Sequence, residues 1–528
     1  IMKKQFLFIS IIVVVVWIGL QLFNLNFLWM AILIVPFLWM GIADVLQKKH
    51  AIKHNFPVLG RLRYFMEVIR PKIYQYFIES DTNGTPFNRL QRSVVYQRSK
   101  NETDTQPFGT QLDVYDLGYE FVNHSMKAVH FDQIEENPRT KIGSSQCTQP
   151  YFASMFNISA MSFGSLSKTA ILALNEGAKL GGFYHNTGEG GLSPYHLEKG
   201  GDVVWNIGTG YFSCRTPEGR FSIEEFTKRA VLPQVKMIEI KFSQGAKPGH
   251  GGILPKAKVT DEIAQIRLVT KGADILSPPT HSAFSTPREL MQFVRLLREK
   301  SGGKPIGIKL CVGRKYEFIS LCKAMIAENT YLDFITVDGG EGGTGAAPPE
   351  FSDHVGMPLR DALAFVHDTL KGFDLKKEIK IIASGKIISG FDIVRALSIG
   401  ADVCNSARGM MFALGCIQAL ECNRNTCPTG IATQDPNLYN GLDVNLKSHR
   451  VSRYHHETVK NALELIAASG LSHPDEVNRW VVCRRIDANN IETFRETYPE
   501  LKAGCLLHEE SIPEKWMKDC KKATADKF

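Results

Sequence analysis

The sequence predicts an α/β protein: a (β/α)8 TIM barrel, with an N-terminal transmembrane helical hairpin and helical N- and C-terminal extensions. Three observations carry this expectation. From Asn157 onward, short aliphatic or β-branched runs recur, each followed by a Gly/Ser/Pro loop and a helical pattern. The runs are Asn157–Met161, Phe183–Asn186, Met237–Lys241, Ala273–Ser277, Ile306–Cys311, Phe334–Asp338, Ile379–Ser384 and Ala401–Asn405, and eight is the number that closes such a barrel. An open doubly wound sheet is the alternative that the run count leaves standing. The third observation is that the first fifty residues differ in kind from all that follows. The expected divisions are therefore 1–50 (hairpin), 51–150 (an N-terminal cap), 151–435 (barrel) and 436–528 (helical extension).

Phe6 to Phe23 carries no charge, and Phe27 to Val45 is broken only by Pro36 and ends beside Asp44. Each stretch is close to the roughly 20 residues that cross a bilayer. Asn24-Leu25-Asn26 leaves a short turn between them. Lys3 and Lys4 precede the pair, and Lys48, Lys49 and Lys53 follow it, so both ends carry the charge expected inside. That places the large C-terminal part on the cytoplasmic face of the inner membrane. The rival, a signal peptide, needs a small-x-small cleavage site that is not found between the stretches. Met2 reads as the initiator, and the Ile before it has no functional reading.

Apolar content of 44% with 22% charged residues describes an ordinary globular chain. The formal charge of +8 invites a nucleic-acid reading, but the basic residues are dispersed rather than blocked, which argues against it. Eleven cysteines in no regular framework fit a reducing compartment. Residues 51–150 are mixed, with a helical pattern around Leu59–Ser80 and no catalytic constellation. The insertion Thr187–Pro233, holding Val203-Val-Trp-Asn-Ile-Gly, fits no single βα unit. Beyond residue 436 the pattern is helical, as in His456–Ala468.

Barrel active sites lie at strand C-termini, so the loops after the runs are where chemistry should converge. They include Ser159–Ser165, Asn186–Gly191, Glu239–Gly249, Asp338–Gly345, Ser384–Lys386 and Ser406–Gly409, most of them glycine-rich. Such loops let backbone N–H groups approach a phosphate or a flat ring, although each alone is more often only a tight turn. The last two follow the final two runs, where barrels often bind phosphate. No dinucleotide or P-loop pattern is present. Lys241, Lys309 and Arg267 could handle an acidic substrate, with Glu189 as a partner for an amine or imine. A salt-bridged structural role is the bland alternative for each lysine.

Cys416, Cys422 and Cys427 lie within one loop, the last followed by Pro428. Three soft thiolates so spaced can grip one iron–sulfur cluster. Zinc would need a fourth ligand, a disulfide would leave an odd thiol, and buried structural cysteine is the remaining option.

The stretches ISAMSFGSLS, NTGEGG, EIKFSQGAKPGHGG, LSPPTH, GGTGAAP and LGC-x5-C-x4-CPTGIATQD occur in the order found in the FMN-binding synthase domain of glutamate synthase, which residues 150–435 resemble. The flank VVYQRSKNETDTQPFGTQLDVY is similar to stand-alone bacterial proteins built on this domain. The resemblance implies a (β/α)8 barrel with FMN and a [3Fe–4S] cluster held by Cys416, Cys422 and Cys427. It implies that Lys241, Arg267 and, indirectly, Glu189 hold the carboxylates of 2-oxoglutarate. FMN should touch Ala160, Met161, Ser162, Lys309 and the Gly343-Thr344-Gly345 loop, with its phosphate near Gly385, Lys386, Ala407 and Arg408. Two departures bear on the substrate. Ile253 stands where the family often has Gln, and His250 where it has Glu.

The expected activity is reductive amination of 2-oxoglutarate or a related 2-oxo acid to L-glutamate, by hydride transfer from reduced FMN. With no glutaminase or pyridine-nucleotide module recognised, ammonia would be free or supplied by a separate protein. Electrons would come from ferredoxin, a reductase subunit or a membrane redox carrier. The alternatives are an N-methylglutamate synthase-like enzyme using a primary amine, and a membrane electron-transfer protein that has lost amination.

Overall fold

Eight parallel strands close into a barrel in chain order: β1 Phe156–Ile158, β2 His185–Asn186, β3 Val203–Ile207, β4 Val235–Lys241, β5 Ile306–Leu310, β6 Phe334–Asp338, β7 Lys380–Ser384 and β8 Val403–Ser406. β8 returns to β1 through the pairs Cys404–Phe156 and Ser406–Ile158. This is a computed structural model, and it describes Met2–Phe528. Nearly every strand residue is buried, as expected for a parallel sheet wrapped by helices. The (β/α)8 expectation holds, and the open sheet is excluded by the closure.

One strand differs from expectation. Ala273–Ser277 does not enter the barrel; Ile275–Leu276 pairs antiparallel with Ile253–Leu254 outside it, and Leu276 is 66% exposed. The third barrel strand is instead Val203–Ile207, within the segment that fitted no tidy unit. All five of its residues are buried, and Trp205 stacks on Phe226 at 5.4 Å. A run buried on both faces shows no alternation, so its identity rests on packing that periodicity does not report.

The floor of the barrel is plugged by the antiparallel pair Arg139–Ile142 and Tyr151–Ser154. Ile142 and Ala153 pack there with Tyr184, Val204, Met237, Phe334, Ile382 and Val403, leaving no open pore at that end. The helices are stopped and started by local chemistry. Ser167 caps Lys168–Gly181 by accepting from Ala170 N at 3.3 Å, and Gly182 ends it in the left-handed region at φ 66°. Thr286 with Glu289, and Ser389 with Asp392, form capping boxes ahead of Pro287–Lys300 and Gly390–Ile399. The C-terminal helix Val444–Ala468 lies along Lys168–Gly181. A three-stranded antiparallel sheet joins Glu120–Val122 to Val482–Arg485 and Ile491–Thr493, tying the segments before and after the barrel together.

The chain separates into two compact units, divided between Arg89 and Leu90. In the first, helix Met2–Phe23 is followed by a 3-10 turn Leu25–Met30 and helix Ala31–Leu46. Asn24 caps the turn, its side chain accepting from Asn26 N at 2.9 Å. Two stretches, Met2–Phe23 and Asn26–Leu46, are long and apolar enough to cross a membrane. A further helix, Gly60–Ile73, continues into a π-helical turn Tyr74–Ile78.

Candidate active site at the C-terminal mouth of the barrel

Inside the barrel, Glu239 on β4 accepts from Asn186 Nδ2 at 2.8 Å, Asn206 Nδ2 at 2.6 Å and Thr336 Oγ1 at 2.5 Å. This buried hub links β2, β3, β4 and β6 and fixes the level from which the upper loops rise. Two residues further along β4, Lys241 places Nζ 2.8 Å from Glu189 Oε2 and 2.9 Å from Gln244 Oε1. Gly188, at φ 64°, takes the loop after β2 over the backbone of Met161 and Ser162, a turn that a side chain would obstruct.

Arg267 comes to the same place from elsewhere. It closes the short helix Asp261–Arg267 in the excursion between β4 and β5. Its Nη2 donates to Phe163 O at 3.1 Å, and its guanidinium lies over the Phe212 ring at 5.0 Å. Its Nε has no hydrogen-bond partner. Burial pulls its pKa down to about 10, against the opposing pull of Glu189. For Glu189, burial alone would raise the pKa, but Lys241, Lys247 and Arg267 together hold it below the usual 4.5. The pKa of Lys247 is lowered by burial and by Lys241, with Glu189 acting against this. One carboxylate thus faces three buried cations, an imbalance that an anionic ligand would relieve.

A second set of charges lies across the mouth. Lys309 on β5 sits 3.5 Å from Asp338 Oδ2, which also accepts from Gly245 N at 2.9 Å. An added Cβ at Gly245 would fall 1.7 Å from Gly339 O, so the loops after β4 and β6 meet backbone to backbone. Gln244 bridges the two charge sets, receiving from Lys241 and donating to Thr344 Oγ1 at 3.1 Å. Gly343 faces the Arg408 side chain, Arg408 donates to Glu341 O at 2.8 Å, and Gly345 faces Ser165 Oγ. Lys386, in the left-handed region at φ 51°, follows Gly385 after β7. Burial and then Arg408 lower its pKa, while burial brings Arg408 to about 10. Ala160, Met161 and Ser162 occupy the loop after β1, where Ser159 bonds Ser384 Oγ at 3.3 Å and Ser406 O at 3.0 Å. Ala407 precedes helix Arg408–Leu414 at the end of β8.

The cysteine loop follows that helix. Gln418, Leu420 and Asn425 take positive φ, which folds it tightly. Burial, together with Cys422 and Cys427, pushes the Cys416 thiol up to about 12, and burial followed by Cys427 raises Cys422. Among the described residues no group of three His, Cys, Asp or Glu side chains is arranged to hold a single metal ion. The loop is stitched to the one after β1: Ser167 Oγ donates to Gly430 O at 2.7 Å and Gln434 Nε2 to Leu166 O at 2.8 Å. Buried Lys258 donates to Ser165 O and Ala432 O at 2.9 and 2.8 Å, and burial lowers its pKa to about 8 against the pull of Cys422 and Cys427.

The structure thus gathers Glu189, Lys241 and Arg267 in one cluster and the residues singled out for flavin around the same mouth. Lys247, Gln244, Asp338, Glu341 and Lys258 were not singled out from sequence. Lys247 and Gln244 lie in an irregular loop whose spacing does not reveal that it turns back over β4.

The conserved region in glutamate synthase, as a family, matches residues 92–472. The glutamate synthase large subunit-like protein YerD of Bacillus subtilis (strain 168) is 39% identical, over 87% of this chain and 95% of that one. The archaeal glutamate synthase (NADPH) of Methanocaldococcus jannaschii is 36% identical over 60% of this chain, which spans 59% of the relative's length. Among solved structures, a flavocytochrome b2 variant with sulfite bound aligns at 12% identity and TM-score 0.42, over 84% of this chain and 89% of that one. The chain belongs to the glutamate synthase family of oxidoreductases.

Proposed function

We propose that the protein reductively aminates 2-oxoglutarate or a related 2-oxo acid to the corresponding amino acid at the C-terminal mouth of the barrel, with FMN and a [3Fe–4S] cluster as cofactors. The observation that carries this reading is the cluster of Lys241, Lys247 and Arg267 around Glu189, a cation surplus suited to a dicarboxylate. Arg267 offers an unpartnered Nε and, with Lys241, would hold the substrate carboxylates. Glu189 and Gln244 orient the Lys241 ammonium, and Glu189 would accept a hydrogen bond from the incoming amine. Lys241, Lys247 and Arg267 are buried, which strengthens their interactions with an anion.

The flavin site has support of the same kind. Lys386 and Arg408 repel one another beside glycines that leave room for close approach, which suits a phosphate. Ala160, Met161 and Ser162, Lys309 and the Gly343–Gly345 loop would border the ring. When bound, FMN supplies the hydride that reduces the imine carbon. Cys416, Cys422 and Cys427 would hold the cluster, which would supply electrons to the flavin, and hydrogen bonds tie their loop to the β1 loop proposed to border FMN. Ammonia and electrons would reach the site from partner proteins or the medium.

We also propose that the hairpin anchors the chain in the inner membrane, with the barrel in the cytoplasm. Phe8, Ile11, Leu22, Ile32 and Leu33 are exposed on these helices, unlike the side chains of a soluble core helix.

A second reading, with a primary amine in place of ammonia, is favoured by the Gly251–Ile253 loop. Gly252 abuts Glu189, and the residue after it is the apolar Ile253. One experiment separates these readings. The FMN of the purified protein is reduced anaerobically, 2-oxoglutarate is added with ammonium or methylamine, and flavin reoxidation and product are followed together. Glutamate formation is the expected result, and preference for methylamine would select the second reading. Inertness toward both, with flavin and cluster spectroscopically present, would overturn the 2-oxoglutarate assignment.

A further inference from the structure

We propose that the helix after the hairpin, Gly60–Ile73 with its continuation Tyr74–Ile78, lies on the membrane surface and binds anionic phospholipid headgroups. The proposal rests on the reading of the hairpin as a membrane anchor. Leu62, Phe65, Met66, Ile73, Tyr76 and Phe77 recur at helical spacing and form one stripe. All of them are exposed, Phe65 by 57% and Phe77 by 84%. A contiguous apolar stripe of this kind marks an interaction surface rather than an ordinary solvated face.

The charges select the occupant. Arg63 and Arg70 border one side of the stripe and Lys72 the other, while Arg61 is engaged by Asp44. Glu67, 3.5 Å from Arg63, is the acidic residue within the helix. Lys48, Lys49 and Lys53 add positive charge in the connection that leads to it. Apolar residues in the middle with long basic side chains at both edges describe an interfacial helix, its stems lying along the acyl boundary and its heads among phosphates. Free phosphate would account for the basic edges but not for the apolar stripe.

Position supports the same occupant. Asp44, in the last turn of the second hairpin helix, accepts from Arg61 Nε at 2.8 Å and from Val58 N at 3.1 Å. The start of the amphipathic helix is therefore fixed beside the end of the apolar one, which the anchor reading sets at the membrane surface. Lys53 lies over the Tyr64 ring at 4.6 Å and His50 packs on it edge-on at 4.9 Å, holding the connection compact.

The test is hydrogen–deuterium exchange on the full chain in neutral detergent, in phosphatidylcholine nanodiscs, and in nanodiscs of phosphatidylcholine with phosphatidylglycerol. Peptides covering 60–78 should exchange roughly tenfold or more slowly in the anionic discs than in the neutral ones. Arg63→Glu/Arg70→Glu/Lys72→Glu should abolish that difference and leave flavin content unchanged. High salt should weaken it, since the attraction is screened. Equal exchange in all three media, with the hairpin peptides protected in both discs, would overturn the proposal and leave the anchor standing. Strong protection already present in detergent would also overturn it, by showing that protein covers the stripe. Free exchange of the hairpin peptides in discs would overturn the anchor, and this proposal with it.

Discussion

At the N-terminal end of the barrel, Asp333 precedes β6 and accepts from Ser144 N and Ser144 Oγ at 2.7 Å each, from Ile306 N at 2.7 Å and from Arg298 Nη2 at 2.9 Å. Asp402 precedes β8 and meets Lys376 at 2.9 Å, Lys380 at 3.3 Å and Ile381 N at 2.6 Å. At the C-terminal end, Glu189 meets Lys241 directly, and Lys247 and Arg267 stand by without carboxylates of their own. At the floor both carboxylates meet backbone donors and cations, and buried Lys304 is held instead by the carbonyls of Ala230 and Leu232 at 2.6 and 2.8 Å. The mouth holds positive charge in surplus. An uncompensated buried cation costs several kcal/mol unless a ligand or backbone carbonyls meet it, and around Glu189 one carboxylate stands against three cations.

The largest expected effect follows from breaking the floor. Asp333→Ala strips a fully buried carboxylate from Arg298 and leaves three other donors unmatched. It should cost about 3–5 kcal/mol of stability, read as a lowered denaturation midpoint. Oxo-acid affinity of the molecules that still fold should be unchanged. A loss below about 1 kcal/mol would erase the distinction between the two ends.

The mouth should respond in the opposite sense. Arg267→Ala removes a cation in excess but also its bond to Phe163 O and its contact with Phe212, changes of opposite sign, so stability should move by less than about 1 kcal/mol while FMN stays bound. Affinity for 2-oxoglutarate should fall by about 2–3 kcal/mol, the worth of hydrogen bonds to a charged group. Titration of both ligands on one preparation measures the split. Unchanged oxo-acid binding would place the carboxylate clamp elsewhere.

Arg267 also marks how far the sequence could be read. It lies at no strand end, and the sequence offers it only as a charge able to handle an acidic substrate, the resemblance adding its role; the helix Asp261–Arg267 and the left-handed Leu268 that follows deliver it to the mouth. Seven of the eight barrel strands were legible because an aliphatic run followed by a glycine-rich loop reports burial and a turn together. β3 was not, because Val203–Ile207 sits inside an insertion and its partner strands are set by contacts distant in sequence. Lys247 and Gln244 were hidden for a related reason: loop residues carry no period. The floor aspartates were equally silent, since one Asp before a strand resembles any polar loop residue.

A smaller effect concerns the single carboxylate among the cations. The pKa of Glu189 is held below 4.5, so its stabilising contribution is complete above that value and fades as pH falls through the lowered one. Glu189→Gln removes the titrating group, and the mutant's melting temperature should fall less steeply than the native one on the acid side. Parallel acid limbs for the two proteins would mean that Lys241, Lys247 and Arg267 do not act on this carboxylate.

The smallest effect sharpens the comparison from the flavin side, where the mouth is tight as well as charged. An added Cβ at Gly343 would fall 2.7 Å from Arg408 Nε and 2.9 Å from Cζ. That guanidinium is tied to Glu341 O at 2.8 Å, so it has to shift rather than swing freely. Gly343→Ala should therefore weaken FMN binding by about 1 kcal/mol, the lower end of overpacking costs. Flavin fluorescence titration reads the change. Arg408 would hold the cofactor while Arg267 holds the substrate, so oxo-acid affinity in the flavin-loaded protein should stay as it was. If oxo-acid affinity fell with FMN affinity, the two charge sets bridged by Gln244 would act as one unit, and the mouth would be a single coupled site rather than two adjoining ones.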